Sequence, residues 1–255
     1  MKKLLISAAA LALAAGAAAA DPVRIGVAAE PYPPFTAPDA SGQWVGWEID
    51  IMNAICEREQ MECVLTPTAW DGIIPALVSG RIDAIMSSMS ITEDRLQTID
   101  FSDKYYNTPA EIIGTRGEAI TPTPEGLAGR VLGVQVSTIH QAYAQQYFEG
   151  QTEIRTYQTQ DEANQDLAAG RLDAVLADSL ALADFLASDA GQACCEDFGP
   201  VANDPEILGR GVGVGVRKGD NELLAHFNDG IASIIADGTY DEISSRYFAS
   251  SIYGD

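Results

Sequence analysis

Residues 70–95 read WDGIIPALVSGRIDAIMSSMSITEDR, and half of that stretch returns 90 residues later. Leu77, Gly80-Arg81-Ile82-Asp83-Ala84-Ile85-Met86 and Ser88 run parallel to Leu167, Gly170-Arg171-Leu172-Asp173-Ala174-Val175-Leu176 and Asp178. A helix end, a glycine stop and a short apolar strand therefore occur twice. The register puts Ser88 and Asp178 at equivalent points just past the two strands, where open parallel sheets place their ligand groups. Two similar lobes facing one another would line a cleft from both sides.

Working outward, the other apolar runs keep the same rhythm. Strands are expected over 23–27, 63–65 and 82–86, with helices over 48–58 and 72–78 between them. The pattern restarts with strands over 131–134, 154–157 and 172–176 and helices over 139–148, 161–168 and 180–187. Alternating strand and helix imply a mostly parallel sheet in each half. Glycines and prolines between Gly114 and Gly129 mark a local break. The Gly/Val alternation over 209–216 reads as a strand packed close to other backbone, because it lacks the strand–GxGxxG–helix setting of a dinucleotide site. Two terminal helices are expected over 221–236 and 240–248, with His226 structural on the first.

The chain has 255 residues, with 15 Lys+Arg against 37 Asp+Glu and a formal net charge of −22. Lys2-Lys3, the apolar run Leu4–Ala15 and Ala18-Ala19-Ala20 before Asp21 have the form of a cleaved secretory signal over 1–20. The run is short of the roughly 20 apolar residues that span a bilayer. No cysteine adjoins the cleavage point, so no lipid anchor is expected. Loss of Lys2 and Lys3 with the leader makes the chain still more acidic, which argues against a nucleic-acid partner. The acidity reads as solubility or salt adaptation rather than ligand steering.

Cys56 ends a predicted helix and Cys63 opens a strand; in an oxidising compartment a Cys56–Cys63 disulfide is expected. Adjacent Cys194 and Cys195 can bridge each other, stay reduced or pair between molecules. None of this is metal-site spacing, and no metal or cofactor is expected.

Charged and aromatic residues cluster near the strand ends. Ser90-Ile-Thr-Glu93 has the form of a capping box, whose free N–H groups favour an anion. Arg95 in the first turns either pairs with a neighbour such as Asp94 or offers its planar fork to a carboxylate. Thr138-Ile-His-Gln141 is a second capping signature, facing the same point from the other half. Asp178 supplies a negative charge. A carboxylate-binding corner beside an ammonium-binding corner is what an α-amino acid requires, since buried charges are costly unless paired. Tyr32 and Trp70, with Glu48 nearby, suit a flat cation that stacks and donates hydrogen bonds.

These residues, in this order, resemble the family-3 solute-binding proteins of ABC importers, in particular the histidine, lysine/arginine/ornithine and octopine/nopaline branches. RIGVAAEPYPPF, VGWEIDI, SGRIDAIMSSMSITEDR, GVQVSTIHQ, GRLDAVLADS, RKGDNEL and ADGTYDEISSRYF carry the likeness along the whole chain after the leader. The resemblance implies an α/β, two-lobed periplasmic-binding-protein fold of type II, with residues 21–108 and 208–255 in one lobe, 109–207 in the other, and a two-segment hinge. It implies that Arg95, Ser90 and Thr138 bind an α-carboxylate, that Asp178, Ser87 and Ser88 bind an α-ammonium, that Tyr32 and Trp70 sandwich a side chain, and that Glu48 meets a distal cation. The Cys56–Cys63 spacing also matches a disulfide of that branch.

Two departures stand out. Where lysine-binding relatives carry an aspartate three residues before the tyrosine, this chain has Ala29 beside Glu30. Where relatives often have Gly-Thr-Thr-Gln, it has Ser137-Thr138-Ile139-His140, which makes His140 either a ligand contact or a helix-surface residue. The expected role is a monomeric periplasmic receptor that captures a cationic amino acid, arginine first, and delivers it to a membrane ABC permease. The alternatives are an opine or polar neutral ligand, or an enzyme resembling cyclohexadienyl dehydratases. An enzyme would need a poised acid or base, and no recognisable catalytic arrangement is present.

Overall fold

The computed structural model describes residues 21–254; the expected leader lies outside them. Twelve strands and nine helices follow in chain order among the described residues. The strands are β1 Val23–Ala28, β2 Ala37–Pro38, β3 Trp44–Val45, β4 Cys63–Thr68, β5 Ala84–Ile85, β6 Ile99–Phe101, β7 Ala110–Thr115, β8 Val131–Gln135, β9 Glu153–Tyr157, β10 Ala174–Asp178, β11 Cys195–Pro200 and β12 Gly215–Arg217. The helices are α1 Trp47–Arg58, α2 Ile73–Val78, α3 Glu93–Leu96, α4 Ile139–Tyr147, α5 Gln160–Ala168, α6 Ser179–Ala187, α7 Asp189–Cys194, α8 Asn221–Ala236 and α9 Thr239–Ser244.

Two five-stranded sheets result, ordered β4-β1-β5-β12-β6 and β11-β7-β10-β8-β9. Each is parallel except for one reversed strand, β12 in the first and β7 in the second. The chain leaves the first sheet after Phe101 and returns at Gly215, so two segments cross between the sheets.

Both sheets are covered on both faces, and the alternation of side chains decides which core each residue joins. In β5, Ala84 packs with Ile25, Trp47, Ile51 and Phe227, whereas Ile85 packs with Ile73, Leu77 and Ile99. In β10, Leu176 faces Leu132, Val134 and Tyr143, whereas Val175 and Ala177 face Ala163, Leu167 and Leu182.

The sequence repeat has a physical basis in both lobes. Gly80 and Gly170 sit at φ 73° and 70° just past α2 and α5, where a left-handed residue closes a Schellman motif. Gly80 N–H donates to Leu77 O (3.0 Å) and Arg81 N–H to Ala76 O (2.9 Å); Gly170 N–H donates to Leu167 O (2.9 Å) and Arg171 N–H to Asp166 O (2.9 Å). Asp83 then accepts the Arg24 N–H at 3.0 Å, and Asp173 accepts the Val131 N–H at 2.7 Å, so each aspartate clamps the start of the neighbouring strand. A Cβ on Gly26 would lie 2.3 Å from Ile82 Cδ1, and one on Gly133 2.4 Å from Leu172 Cδ1. The repeated Ile/Leu therefore needs a glycine opposite it.

Two local expectations are corrected. Helix α3 is capped by Thr92, whose Oγ1 accepts the Arg95 N–H at 3.3 Å, not by Ser90. Ser90 is held extended by a bridge to Val212. The Gly/Val stretch forms a strand only at its end, because Gly209 and Gly211 adopt φ 85° and 108° and bend the chain against the Ile91 carbonyl and Lys104. Cys56 and Cys63 are bridged, joining α1 to β4, and Cys194 and Cys195 bridge each other at the α7–β11 junction.

Candidate functional site

The ends of β1 and β5, the helix α3, the crossing segment after β6, the β8–α4 turn and the end of β10 converge on one cavity between the sheets. Tyr32, Trp70, Ser87, Ser88, Ser90, Arg95, Thr138, His140 and Asp178 all line it.

At one corner, the first-turn position of Arg95 in α3 aims its guanidinium across the cleft. Nη1 donates to Ser90 O at 2.9 Å and Nη2 to Ser137 O at 3.3 Å, and the group lies 5.7 Å from the Trp70 ring centroid. Arg95 makes no ion pair among the described residues. Burial lowers its pKa to about 10, and the charge of Asp94 opposes that only in part. A carboxylate would restore the balance. Thr138 caps α4, its Oγ1 accepting the Gln141 N–H at 3.1 Å. His140, in the first turn of α4, is buried. Desolvation, and then the Arg95 charge, push its pKa down to about 3. Of the two readings of His140, the surface one is removed: a neutral imidazole faces the cavity.

At the opposite corner Asp178 ends β10 and caps α6. Its Oδ1 accepts the N–H groups of Leu180 (2.9 Å) and Ala181 (3.4 Å), and the Thr108 hydroxyl donates to Oδ2. Burial raises its carboxyl to about pKa 6 despite these donors. Placing a cation here would lower that value again. Ser87 and Ser88 also line the cavity. The Ser87 Oγ accepts the Ala28 N–H at 2.8 Å.

Between the corners, Tyr32 stacks on Phe35 with ring centroids 5.8 Å apart. The indole N–H of Trp70 is buried without a hydrogen-bond partner. Glu30 also lines the cavity, its Oε2 accepting the Trp70 backbone N–H at 3.1 Å.

Glu48 requires a correction. It does not line the cavity; it is 1% exposed in the first turn of α1. Its Oε1 accepts the Ser88 N–H at 2.7 Å and the Tyr105 hydroxyl, and its Oε2 accepts the Ser88 hydroxyl at 3.2 Å. Glu48 thus lies behind Ser88 rather than in the cavity wall. Burial raises its pKa to about 7. The sequence carried the signal: Glu48 precedes Ile51, Met52 and Ile55 by three, four and seven residues, which places it on the apolar stripe of the helix. Thr108 was legible only as part of a crossing segment, since its partner Asp178 is 70 residues away.

Comparison with known proteins agrees with this geometry. The chain is 44% identical over 239 residues to the L-arginine-binding protein of Pseudomonas aeruginosa, covering 93% of this chain and 92% of that one. It is 41% identical over 244 residues to the lysine/arginine/ornithine-binding periplasmic protein of Escherichia coli, covering 94% and 92%. A solved Salmonella typhimurium periplasmic binding protein, described for its high arginine specificity, matches with a TM-score of 0.80 at 30% identity, covering 90% of this chain and 100% of that one. Residues 23–250 match the family model throughout, and the chain belongs to the bacterial extracellular solute-binding proteins, family 3.

Proposed function

We propose that this protein is a periplasmic receptor for a cationic amino acid, arginine foremost, which it captures by lobe closure and hands to an ABC permease. The observation that carries the reading is one cavity lined by a guanidinium, Arg95, that makes no ion pair among the described residues, and by a carboxylate, Asp178. An α-amino acid neutralises both at once, which offsets the cost of holding each charge away from water.

The side chain then runs between Tyr32 and Trp70 toward Glu30, which takes the distal-cation role first expected of Glu48. Residues 21–108 with 208–255 form one lobe and 109–207 the other, hinged near 108–110 and 207–209, and closure buries the ligand. A single chain suffices for this motion, so the receptor acts as a monomer. The names of the arginine- and lysine/arginine/ornithine-binding relatives support both the ligand class and the compartment.

The test is a thermal-shift series on protein refolded to strip carried-over ligand, with arginine, lysine, ornithine, histidine, citrulline and glutamine. A ligand at a thousand times its Kd adds about 4 kcal/mol of apparent stability, several degrees in Tm. The largest shift is expected with arginine. Shifts confined to neutral or acidic amino acids would overturn the assignment.

A further inference from the structure

Ser88, which lines the cavity, and Ser137, whose carbonyl oxygen accepts from Arg95, are both in the left-handed region, at φ 54° and 59°, a conformation that is strained for a non-glycine residue and persists only where the surroundings enforce it. Each is enforced in the same way. Gln141 Oε1 accepts the Ser137 N–H at 2.7 Å, and Glu48 Oε1 accepts the Ser88 N–H at 2.7 Å. Glu48 does one thing more: in its carboxylate form its second oxygen accepts the hydrogen bond of the Ser88 hydroxyl at 3.2 Å. A serine hydroxyl has a single proton to donate. With that proton turned inward, the Ser88 oxygen keeps only lone pairs, shared between the Tyr106 phenol and the cavity.

We infer that Glu48 is a positioning residue that acts through Ser88, fixing the Ser88 oxygen as an acceptor for the α-ammonium group of the ligand and lending it part of the carboxylate's negative charge. The inference rests on the reading of the Asp178 side of the cavity as the ammonium corner. It explains why a carboxyl is buried here with Tyr105 and Ser88 as its hydrogen-bond partners and no cation among the described residues. The titratable groups that face it are the phenols of Tyr105, Tyr106 and Tyr32; the last two also lie in the field of Asp178. Tyr32 and Tyr106 thus lie in the fields of two carboxyls, Asp178 in the cavity wall and Glu48 behind Ser88. An ammonium placed between the two carboxyls draws the Glu48 proton away, so binding releases it near pH 7, the pKa at which burial holds this carboxyl.

The test pairs L-arginine with 5-guanidinovalerate, which has the same chain and carboxylate but no α-ammonium, in calorimetric titrations of wild type and Glu48→Gln between pH 5.5 and 8.5. In the variant the amide donates to Ser88 Oγ and turns the hydroxyl proton into the cavity. The expected result is a loss of about tenfold or more for arginine, roughly 1.4 kcal/mol, with less than a threefold change for 5-guanidinovalerate. Wild type should release a proton from Glu48 with arginine near pH 7, whereas the variant should keep only the release from Asp178 centred near pH 6. Equal losses for the two probes, or no loss, would overturn the relay while leaving the receptor reading intact. A wild type that binds both probes equally would instead overturn the ammonium corner and the relay with it. Should Glu48→Gln fail to fold, Ser88→Ala carries the same comparison, because it removes the hydroxyl alone; the same arginine-selective loss is expected, and equal losses again overturn the relay.

Discussion

Arg95 Nη2 donates to the carbonyl oxygen of Ser137 at 3.3 Å, a bond from the lobe that carries α3 to the lobe that carries α4. The guanidinium has five N–H groups in a planar fork, and only two bonds are spent, on Ser90 O and Ser137 O. The remainder suit a bidentate carboxylate. Arg95 therefore ties the two lobes together while keeping donors for a carboxylate.

Replacing it separates charge from shape. Arg95→Ala should weaken arginine binding by about 100-fold or more, near 3 kcal/mol, because the ligand carboxylate is left in the cleft without its partner. Arg95→Lys keeps the charge but loses the fork, so it should recover only part of the affinity. Calorimetric titration of the three proteins checks the order; affinity unchanged in the alanine variant would remove Arg95 from the site.

The raised carboxyls make stability fall with pH when no ligand is present. Glu48 moves from 4.5 to about 7 on folding, so the folded state holds its proton more tightly than the unfolded chain does. Its contribution is fully present below about pH 4.5 and is lost as pH rises through 7. That is on the order of 3 kcal/mol, and Asp178, raised to about 6, acts in the same direction. Ligand-free wild type should therefore melt at a lower temperature at pH 8 than at pH 5.5, Glu48→Gln should flatten most of that difference, and saturating arginine should do the same in wild type. Melting curves at the two pH values decide it.

Much of the fold was legible because the repeat encodes local chemistry. Gly80 and Gly170 close Schellman motifs, Asp83 and Asp173 each clamp a neighbouring strand, and an apolar run follows each aspartate. What the sequence concealed depends on pairings distant along the chain. Ser90 and Thr92 both have capping chemistry, and the choice of Thr92 is made by the bridge from Ser90 to Val212, 122 positions away. Glu48 was legible as an acid near aromatics, but its direction is set by Tyr105 and Ser88, 57 and 40 positions on. Local pattern locates such a residue and tertiary pairing aims it.

The glycines opposite Ile82 and Leu172 give a stability test of the repeat. A methyl group at Gly26 or Gly133 would enter the space of the δ-methyl of Ile82 or Leu172, just ahead of the neighbouring strand, and overpacking of this kind costs about 1–3 kcal/mol. Gly26→Ala and Gly133→Ala should each lower the urea midpoint by a similar amount, and pairing Gly26→Ala with Ile82→Val should recover part of the loss by removing the offending methyl. No recovery in the double variant would mean that the glycine is needed for another reason.

Glu30 and Glu48 sit on opposite sides of the ligand reading, and two probes tell them apart. Glu30 lines the cavity and is anchored by the Trp70 N–H; in the proposed function it meets the charge at the far end of the side chain. Glu48 lies behind Ser88 and in the relay acts on the α-ammonium. Citrulline keeps the α-ammonium and the length of arginine but has a neutral urea in place of the guanidinium. Glu30→Gln should therefore weaken arginine by about tenfold, the scale of one charge-assisted hydrogen bond, while changing citrulline little. Glu48→Gln should weaken both to a similar extent. The crossed pattern in a four-way titration is the expected outcome. If Glu48→Gln proves selective for arginine over citrulline while Glu30→Gln does not, the acid that reads the side chain is Glu48 after all, and Ser88 must move aside when the ligand enters.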